Sequence, residues 1–300
     1  MKQRREKRKG GYAGVERQQE KWAYIFLTPN LLFVFLFSFV PVAIALYLSL
    51  TRYSILKPPH FLGLANYVAI FRDSVFVRSI GNTVYFLAVV TPVRLILGLV
   101  IAILLNQKLV LRNFFRTVVF LPWITSGVVV ASIFSWLYDP DVGALNFFLQ
   151  AAGLRSLYWL TGVTTAMPSI MIAALWRSVG WVVVLYLAGL QGIPLEYYEA
   201  ARIDGASWWR QLTSVTLPCL RPTTLLIVVT TMIGSFQMFD LVFVMTDGGP
   251  LNATTVMAYE IYQNAFSFLK MGYASAESYV LFAIVALLSF VSFRWLRADA

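Results

Sequence analysis

A spaced series of residues between positions 191 and 222 has the side chains needed for docking on another protein. It consists of Glu199-Ala200-Ala201, then three intervening residues and Gly205, then nine intervening residues and Val215-Thr216-Leu217-Pro218. The Glu199 carboxylate can accept charge-assisted hydrogen bonds from an Arg or Lys of a partner. Consecutive alanines let the backbone of a helix approach that partner closely. The series therefore favours a mechanical contact between proteins rather than bond-breaking chemistry.

The same segment predicts a short helix that begins after Pro194 and ends at Gly205. Glu196 lies in the first turn, where a negative charge suits the helix dipole. Glycine readily adopts the left-handed conformation that ends a helix. We expect the helix at the inner face of a membrane, with three charged side chains exposed: Glu199, Arg202 and Asp204. A solvated amphipathic surface helix is the alternative interpretation.

Charged residues fall inside several of the apolar segments, and three of them lie away from the cytoplasmic ends that the charge distribution predicts. Arg94 and Arg177 lie near the middle of their segments, and Asp240 lies near the outer end of its own. A central Arg costs about 2.5–3.5 kcal/mol on insertion scales, so such groups normally face protein or a water-filled path. Two interpretations stay open. Arg94 or Arg177 contacts a polar or anionic substrate, or they pair internally with Asp240 or a backbone carbonyl.

Polar residues recur along one side of the fifth apolar segment. The stripe consists of Thr230, Gly234, Gln237 and Asp240, with Thr231 and Ser235 beside it. A spacing of three to four residues places these groups on one side of a helix. They either line a pathway for a polar solute or mediate packing between helices, and the sequence leaves both open.

Residues for catalysis and metal binding are scarce. Cys219 is the only cysteine and His60 the only histidine, which excludes an intrachain disulfide, a thiolate cluster and histidine-based metal sites. A P-loop for ATP requires a Gly-Lys pair, and none occurs. We therefore predict no enzyme activity, no metal site and no cofactor in this chain. A membrane-embedded enzyme would need a nucleophile–base pair or a metal cluster.

The composition identifies lipid as the main solvent of the 300 residues. Hydrophobic residues make up 59% and charged residues 13%, with a mean hydropathy of +0.71. A helix needs about 20 mostly apolar residues to cross the hydrocarbon. Six segments qualify: 25–50, 83–105, 117–137, 168–190, 223–243 and 279–295, the last with a possible earlier start near 275. Backbone groups in lipid must bond to one another, so we predict an all-α fold, with bends rather than breaks at Pro29, Pro41, Pro92 and Pro122.

The distribution of Lys and Arg predicts that both termini are cytoplasmic. Sixteen of these 24 residues fall in the segments that would then be inner, and six fall in outer ones, as the positive-inside rule requires. A basic tail, 1–24, precedes the membrane domain 25–295, and 296–300 form a second inner tail. Basic clustering beside an apolar run indicates contact with membrane lipid rather than with nucleic acid.

The series at 199–218 resembles, at full spacing, the EAA loop of permease subunits in binding-protein-dependent ABC importers. The resemblance extends over YYEAARIDGASWWRQLTSVTLP, with Val215 where the family usually has Ile. FLPWITSGVVVASIFSWLY, VGALNFFL and LAGLQGIP are similar to the sugar permeases of this family. FDLVFVMTDGGPLNAT and GYASAES are similar to the maltose and glycerol-phosphate first permease subunits. The resemblance runs from about Tyr24 to Trp295.

The resemblance implies a type I ABC importer permease fold. It implies import of a sugar, oligosaccharide or glycerol-phosphate-like solute across the cytoplasmic membrane of a prokaryote. The partners would be a second permease subunit, two ATPase subunits that bind ATP and Mg²⁺, and an extracytoplasmic solute-binding protein. An ion-coupled secondary transporter is the alternative. It usually shows internal repeats and an ion relay, and neither is evident in the sequence.

The resemblance also implies roles for individual residues. The ATPase-coupling residues would be Glu199, Ala200, Ala201, Asp204, Gly205, Leu217 and Pro218. Sugar contacts are expected at mid-membrane from Trp123, Ser178, Thr231 and Ser235, and the candidate pathway also includes Arg94, Arg177, Gln237 and Asp240. Asp247-Gly248-Gly249-Pro250 reads as a turn by its residue types. The resemblance places this turn against the binding protein or at an outer gate.

Overall fold

The structure is a computed structural model that describes residues 19, 22–107 and 109–297. The eight Lys and Arg residues of the expected N-terminal tail lie outside the described residues, as do Lys108 and positions 298–300. The side chains at 293 and 295–297 are also outside the described set.

Helices make up most of the described chain. Numbered along the sequence, they are α1 Trp22–Ser49, α2 Ala65–Arg72, α3 Ser74–Leu105, α4 Arg112–Ile124, α5 Gly127–Leu137, α6 Ala144–Ala151, α7 Ala166–Gln191, α8 Leu195–Ile203, α9 Arg221–Phe236, α10 Asp240–Met245, α11 Met257–Tyr262 and α12 Met271–Arg297. Short helical segments fill 208–219, including a π-helical turn at Leu212–Thr216. Five stretches are long and apolar enough to cross a membrane: Trp22–Ser49, Ser74–Leu105, Ala166–Gln191, Arg221–Met245 and Met271–Ser292.

The helices of the second and sixth predicted spans begin earlier than expected. α3 begins at Ser74 rather than 83, because the Asp73 carboxylate caps it by accepting a hydrogen bond from the Val75 N–H at 2.9 Å. α12 begins at Met271 rather than 279. Its first turns contain the buried Glu277, whose carboxylate accepts a hydrogen bond from the Asn264 amide at 3.0 Å. In both helices, a hydrogen-bond partner outside the helix satisfies a polar group in the first turns. Hydropathy alone would place these polar residues outside the span.

The third predicted span, 117–137, is broken, and the expectation of a simple bend at Pro122 is wrong. α4 ends two residues after Pro122, α5 begins at Gly127, and the two helices are inclined by 97°. Thr125 and Ser126 have extended backbone, with ψ of 139° and 138°. The other three span prolines lie inside continuous helices, as predicted.

The fifth predicted span, 223–243, is interrupted as well. α9 ends at Phe236 and α10 begins at Asp240, so 237–239 are not helical. The helical segments of 208–219 lie between α8 and α9 along the chain and extend this span towards α8. The described chain therefore contains two predicted spans in which the helix stops partway and starts again.

A short hairpin is the exception to the all-α prediction. β1 Thr51–Ser54 pairs antiparallel with β2 Lys57–Phe61. The Asn66 side-chain amide anchors the hairpin by donating to the carbonyls of Ser49 and Thr51, both at 2.8 Å. This contact joins α1 to α2. Local sequence patterns alone do not predict it.

α7 lies at the centre of the bundle and α1 at its edge. More than half of the apolar window of α7 is buried, whereas none of the window of α1 is. α3 and α4 both pack against α7. The close approach of α4 requires glycine at position 180, because a Cβ there would lie 2.2 Å from the Val119 carbonyl oxygen. The close packing around α7 thus fixes the positions of the side chains that lie between α3, α7 and α9.

Candidate functional site

The predicted docking helix is α8. It begins directly after Pro194, carries Glu196 in its first turn and ends at Ile203. Gly205 follows with a φ of +75°. Its N–H donates to the Arg202 carbonyl at 3.0 Å, and the next N–H, from Ala206, donates to the Ala201 carbonyl at 2.8 Å. These two bonds satisfy terminal carbonyls of the helix, and they require the left-handed turn at glycine.

Most of the predicted coupling residues lie on the surface. Glu199, Ala200, Asp204, Gly205 and Leu217 are exposed, and Ala201 and Pro218 are half-buried. The surrounding surface also exposes large apolar side chains that the sequence analysis did not single out: Leu195, Tyr197, Ile203, Trp208 and Trp209. Ile203 is 87% exposed. Apolar side chains left uncovered together are typical of a protein-binding surface.

α8 is hydrogen-bonded to the helical segments of 208–219, which precede the fifth span. The hydroxyls of Tyr198 and Thr216 share a hydrogen bond with an O–O distance of 3.0 Å. Thr216 is buried and lies one residue before Leu217. Behind this contact is a cavity of about 310 Å³. α8 is therefore connected to the fifth span by a side-chain bond as well as by the chain itself.

Seven of the eight predicted pathway residues line a single cavity of about 380 Å³ between α3, α4, α7 and the interrupted fifth span. They are Arg94, Trp123, Arg177, Ser178, Thr231, Gln237 and Asp240. The eighth, Ser235, is buried and does not line it; its hydroxyl donates to the Thr231 carbonyl at 2.8 Å. The non-helical stretch 237–239 also borders the cavity. Interrupted helices in transporters commonly form substrate sites.

The two arginines of the cavity differ in their partners. Arg177 Nη1 lies 2.9 Å from Asp240 Oδ2, so the internal pair that the sequence left open is formed by Arg177. Gly127, the first residue of α5, packs on this ion pair: a Cβ there would lie 1.4 Å from Asp240 Oδ2. Arg94 is 8% exposed, and its Nε has no hydrogen-bond partner among the described residues.

Aromatic and hydroxyl groups complete the lining. Trp123 stacks on Trp181, with ring centroids 5.3 Å apart and planes inclined by 19°. Sequence reasoning missed Trp181, although it lies four residues after Arg177 and so on the same side of α7. The hydroxyls of Ser178 and Thr231 donate to carbonyls of their own helices at 2.5 and 2.7 Å, which leaves their lone pairs as acceptors.

The segment 247–250 forms the expected turn. Gly248 is buried with a φ of +78°, and a Cβ there would lie 2.7 Å from both the Thr255 hydroxyl and the Tyr259 ring. The Tyr259 hydroxyl donates to the Asp247 carboxylate at 2.7 Å, and burial raises the pKa of this phenol to about 12. Arg78 of α3 donates to the Leu251 carbonyl at 2.7 Å. The segment that follows the turn is thus bonded to the N-terminal end of α3.

Comparison with protein families matches residues 94–298 to the family described as "Binding-protein-dependent transport system inner membrane component". The matched range contains α8, the turn at 247–250 and every lining residue of the cavity except Phe86. It therefore includes all of the candidate site residues.

Curated relatives are similar over nearly the whole chain. The probable ABC transporter permease protein YurN of Bacillus subtilis is 39% identical and aligns over 91% of this chain and 95% of its own length. The lactose transport system permease protein LacF of Rhizobium radiobacter is 36% identical over 94% and 96%. The trehalose/maltose transport system permease protein MalF of Thermococcus litoralis is 32% identical over 92% and 91%.

A solved structure shares the fold. It is the crystal structure of a bacterial ABC transporter involved in the import of the acidic polysaccharide alginate, and one of its chains superposes with a TM-score of 0.83. The alignment covers 94% of this chain and 97% of that chain at 23% identity. The arrangement of helices described above is therefore shared with an importer subunit.

Proposed function

Because the chain belongs to the family of binding-protein-dependent transport system inner membrane components, we propose that it forms the membrane pathway of a carbohydrate ABC importer. Membership makes it a multi-pass inner-membrane permease that works with an ATPase and a binding protein. Two of the similar permeases are named for lactose and for trehalose and maltose, which supports a sugar or oligosaccharide, with a glycerol-phosphate-like solute as the third candidate. An ion-coupled secondary transporter is not favoured, because such a carrier needs neither partner.

The observation that carries the proposal is the exposed helix α8. It presents Glu199 and Asp204 together with uncovered apolar side chains, and the Tyr198–Thr216 bond ties it to the fifth span. A soluble ATPase that binds this surface would push on both the fourth and the fifth spans when it closes around ATP. ATP and Mg²⁺ are bound by that partner, whereas this chain supplies the lever and the membrane pathway.

The finer assembly is also part of the proposal. A second permease and two ATPase subunits complete the transporter, and the pair of permeases alternates between inward- and outward-open states around the cavity. The uncovered face of α1 offers a surface to the second permease. The six-span domain would run over 25–295 with both termini cytoplasmic, and the turn at Gly248-Gly249-Pro250 would face the solute-binding protein.

Site-specific cross-linking tests the docking role of α8. A photoreactive amino acid replaces Ile203, which is 87% exposed on α8, and a control variant carries it at Val142, which is 69% exposed in the loop before α6. We expect the ATPase subunit to be captured from position 203 and not from position 142. Capture from neither position, or equal capture from both, would contradict docking at α8.

Reconstitution tests the transport role. The chain together with its second permease, ATPase subunits and binding protein should import carbohydrate into liposomes only when ATP is supplied on the ATPase side. The chain alone should import none. Uphill uptake by this polypeptide alone, driven by an ion gradient, would replace the proposal with the secondary transporter.

A further inference from the structure

The cavity lined by the interrupted fifth span carries an excess positive charge. Its charged lining residues are Arg94, Arg177 and Asp240. Arg177 and Asp240 balance each other, because their side chains form an ion pair at 2.9 Å. Arg94 keeps its charge, since a guanidinium does not lose its proton in proteins. One cation of the lining is therefore left without a counter-charge from the described chain.

Arg94 is enclosed as well as unpaired. Only 8% of the residue is exposed, its Nε has no hydrogen-bond partner, and its guanidinium forms no ion pair among the described residues. An isolated buried charge is strongly unfavourable, so buried cations are normally paired. Because Arg94 lines the cavity, an anion that enters the cavity can reach it.

We infer that the solute carried through this cavity is a carbohydrate with an oxyanion, such as a carboxylate, sulfonate or phosphate, and that Arg94 binds this group. The inference rests on the proposed function and narrows its substrate class. A guanidinium suits the role because its fork of N–H donors matches the oxygens of such anions. The remaining lining fits a sugar: the stacked Trp123 and Trp181 offer an aromatic surface, and Thr231 and Gln237 offer polar groups.

A carboxylate of the second permease is the competing source of negative charge. The cavity around Arg94 is formed by α3, α4, α7 and the fifth span of this same chain. With 8% of Arg94 exposed, a helix from another subunit would have to enter the cavity to contact it. A small solute needs no such rearrangement. The geometry therefore favours the solute.

Matched pairs of solutes test the inference in the complete transporter. Uptake into liposomes is measured for digalacturonate against digalactose, for sulfoquinovose against glucose, and for glycerol 3-phosphate against glycerol. We expect the anionic member of at least one pair to be imported and its neutral counterpart to be imported at least about 10-fold more slowly. The size follows from a hydrogen bond to a charged group, worth about 1.5–3 kcal/mol.

Substitutions at position 94 test the residue itself. Arg94→Gln should reduce uptake of the preferred anionic solute by about 10- to 100-fold. Arg94→Lys should retain more uptake than Arg94→Gln, because lysine keeps the positive charge but lacks the planar set of N–H donors. The control is Arg155→Gln, which removes a positive charge from an exposed position between α6 and α7 and should leave uptake unchanged.

The outcomes are distinguishable. Import of neutral carbohydrates alone would overturn the inference and leave carbohydrate import intact. Equal losses for a neutral and an anionic solute in Arg94→Gln would assign Arg94 to a structural or inter-subunit contact and would also overturn it. Absence of ATP-dependent uptake of every carbohydrate would contradict the proposed function instead. If Arg94→Gln does not assemble, the preference of the wild-type transporter within the solute pairs decides the matter.

Discussion

Gly205 is the residue that fixes where α8 ends. Its φ of +75° lies in the left-handed region, and an added Cβ would meet no atom within 4 Å. The requirement for glycine is therefore conformational and does not come from packing. Gly153, after α6, is a matched control position for Gly205. It has the same φ, equally open surroundings and the same pattern of helix-ending hydrogen bonds.

Replacing Gly205 with Ala should disturb coupling rather than assembly. A left-handed Ala costs about 1–2 kcal/mol, which favours loss of the last turn of α8 and misplaces Asp204. We expect less uptake per ATP hydrolysed in the reconstituted transporter. Gly153→Ala carries the same strain far from α8 and should leave this ratio unchanged. Unchanged coupling in both variants would count against a role for the end of α8.

At the scale of secondary structure elements, the position of α8 depends on its contact with the helical segments of 208–219. The helix is nine residues long, too short to be stable alone in water. Pro194 and Gly205 define its ends, and the Tyr198–Thr216 bond orients it. The neighbouring Tyr197 is 52% exposed, and its hydroxyl makes no hydrogen bond within the described residues.

Removing the Tyr198 hydroxyl should loosen α8 from the fifth span. A net hydrogen bond is worth about 1 kcal/mol, or about a 5-fold shift in an equilibrium. In Tyr198→Phe we expect faster amide hydrogen exchange in α8 and weaker stimulation of ATP hydrolysis by the loaded binding protein. Tyr197→Phe is the matched control and should behave as the wild type. Equal behaviour of the two variants would show that the bond does not transmit force.

In the whole molecule, two interrupted spans meet around the cavity. α5 packs against α10, and Gly127 at the start of α5 touches the Arg177–Asp240 pair. The breaks after α4 and after α9 thus both end at the ion pair, because Gly127 touches it and Asp240 is one of its members. α8 follows the C-terminal end of α7, whereas the turn at 247–250 follows the C-terminal end of the fifth span. The lever and the turn should therefore face opposite sides of the membrane.

Cysteine labelling tests this orientation. In a Cys219→Ser background, which removes the only native cysteine, Val142→Cys and Ile203→Cys place thiols at positions that are 69% and 87% exposed. A membrane-impermeant maleimide added to intact cells or spheroplasts should label position 142, whereas position 203 should react only after permeabilisation. The reverse pattern would place both termini outside and would invalidate the orientation derived from Lys and Arg.

The sequence by itself determined the features that depend on neighbouring residues. Apolar runs located the membrane-crossing segments because hydropathy is a property of each run. Pro194 and Gly205 bounded α8 because both residues act through their own backbone angles. The stripe and the buried charges nominated part of the cavity lining, because helical spacing places such groups on one side. The family resemblance added Trp123, Ser178 and Ser235, and seven of the eight predicted residues line the cavity.

Only the tertiary structure decided which groups meet. Arg94 and Arg177 look alike in the sequence, but Asp240 is 63 residues from Arg177 along the chain and pairs with it alone. The residue that follows the break after α4, Gly127, packs against that pair. The early start of α12 depends on Asn264, which accompanies the buried Glu277. Each of these outcomes is set by a distance between residues far apart in the chain, and local preferences contain no information about such distances.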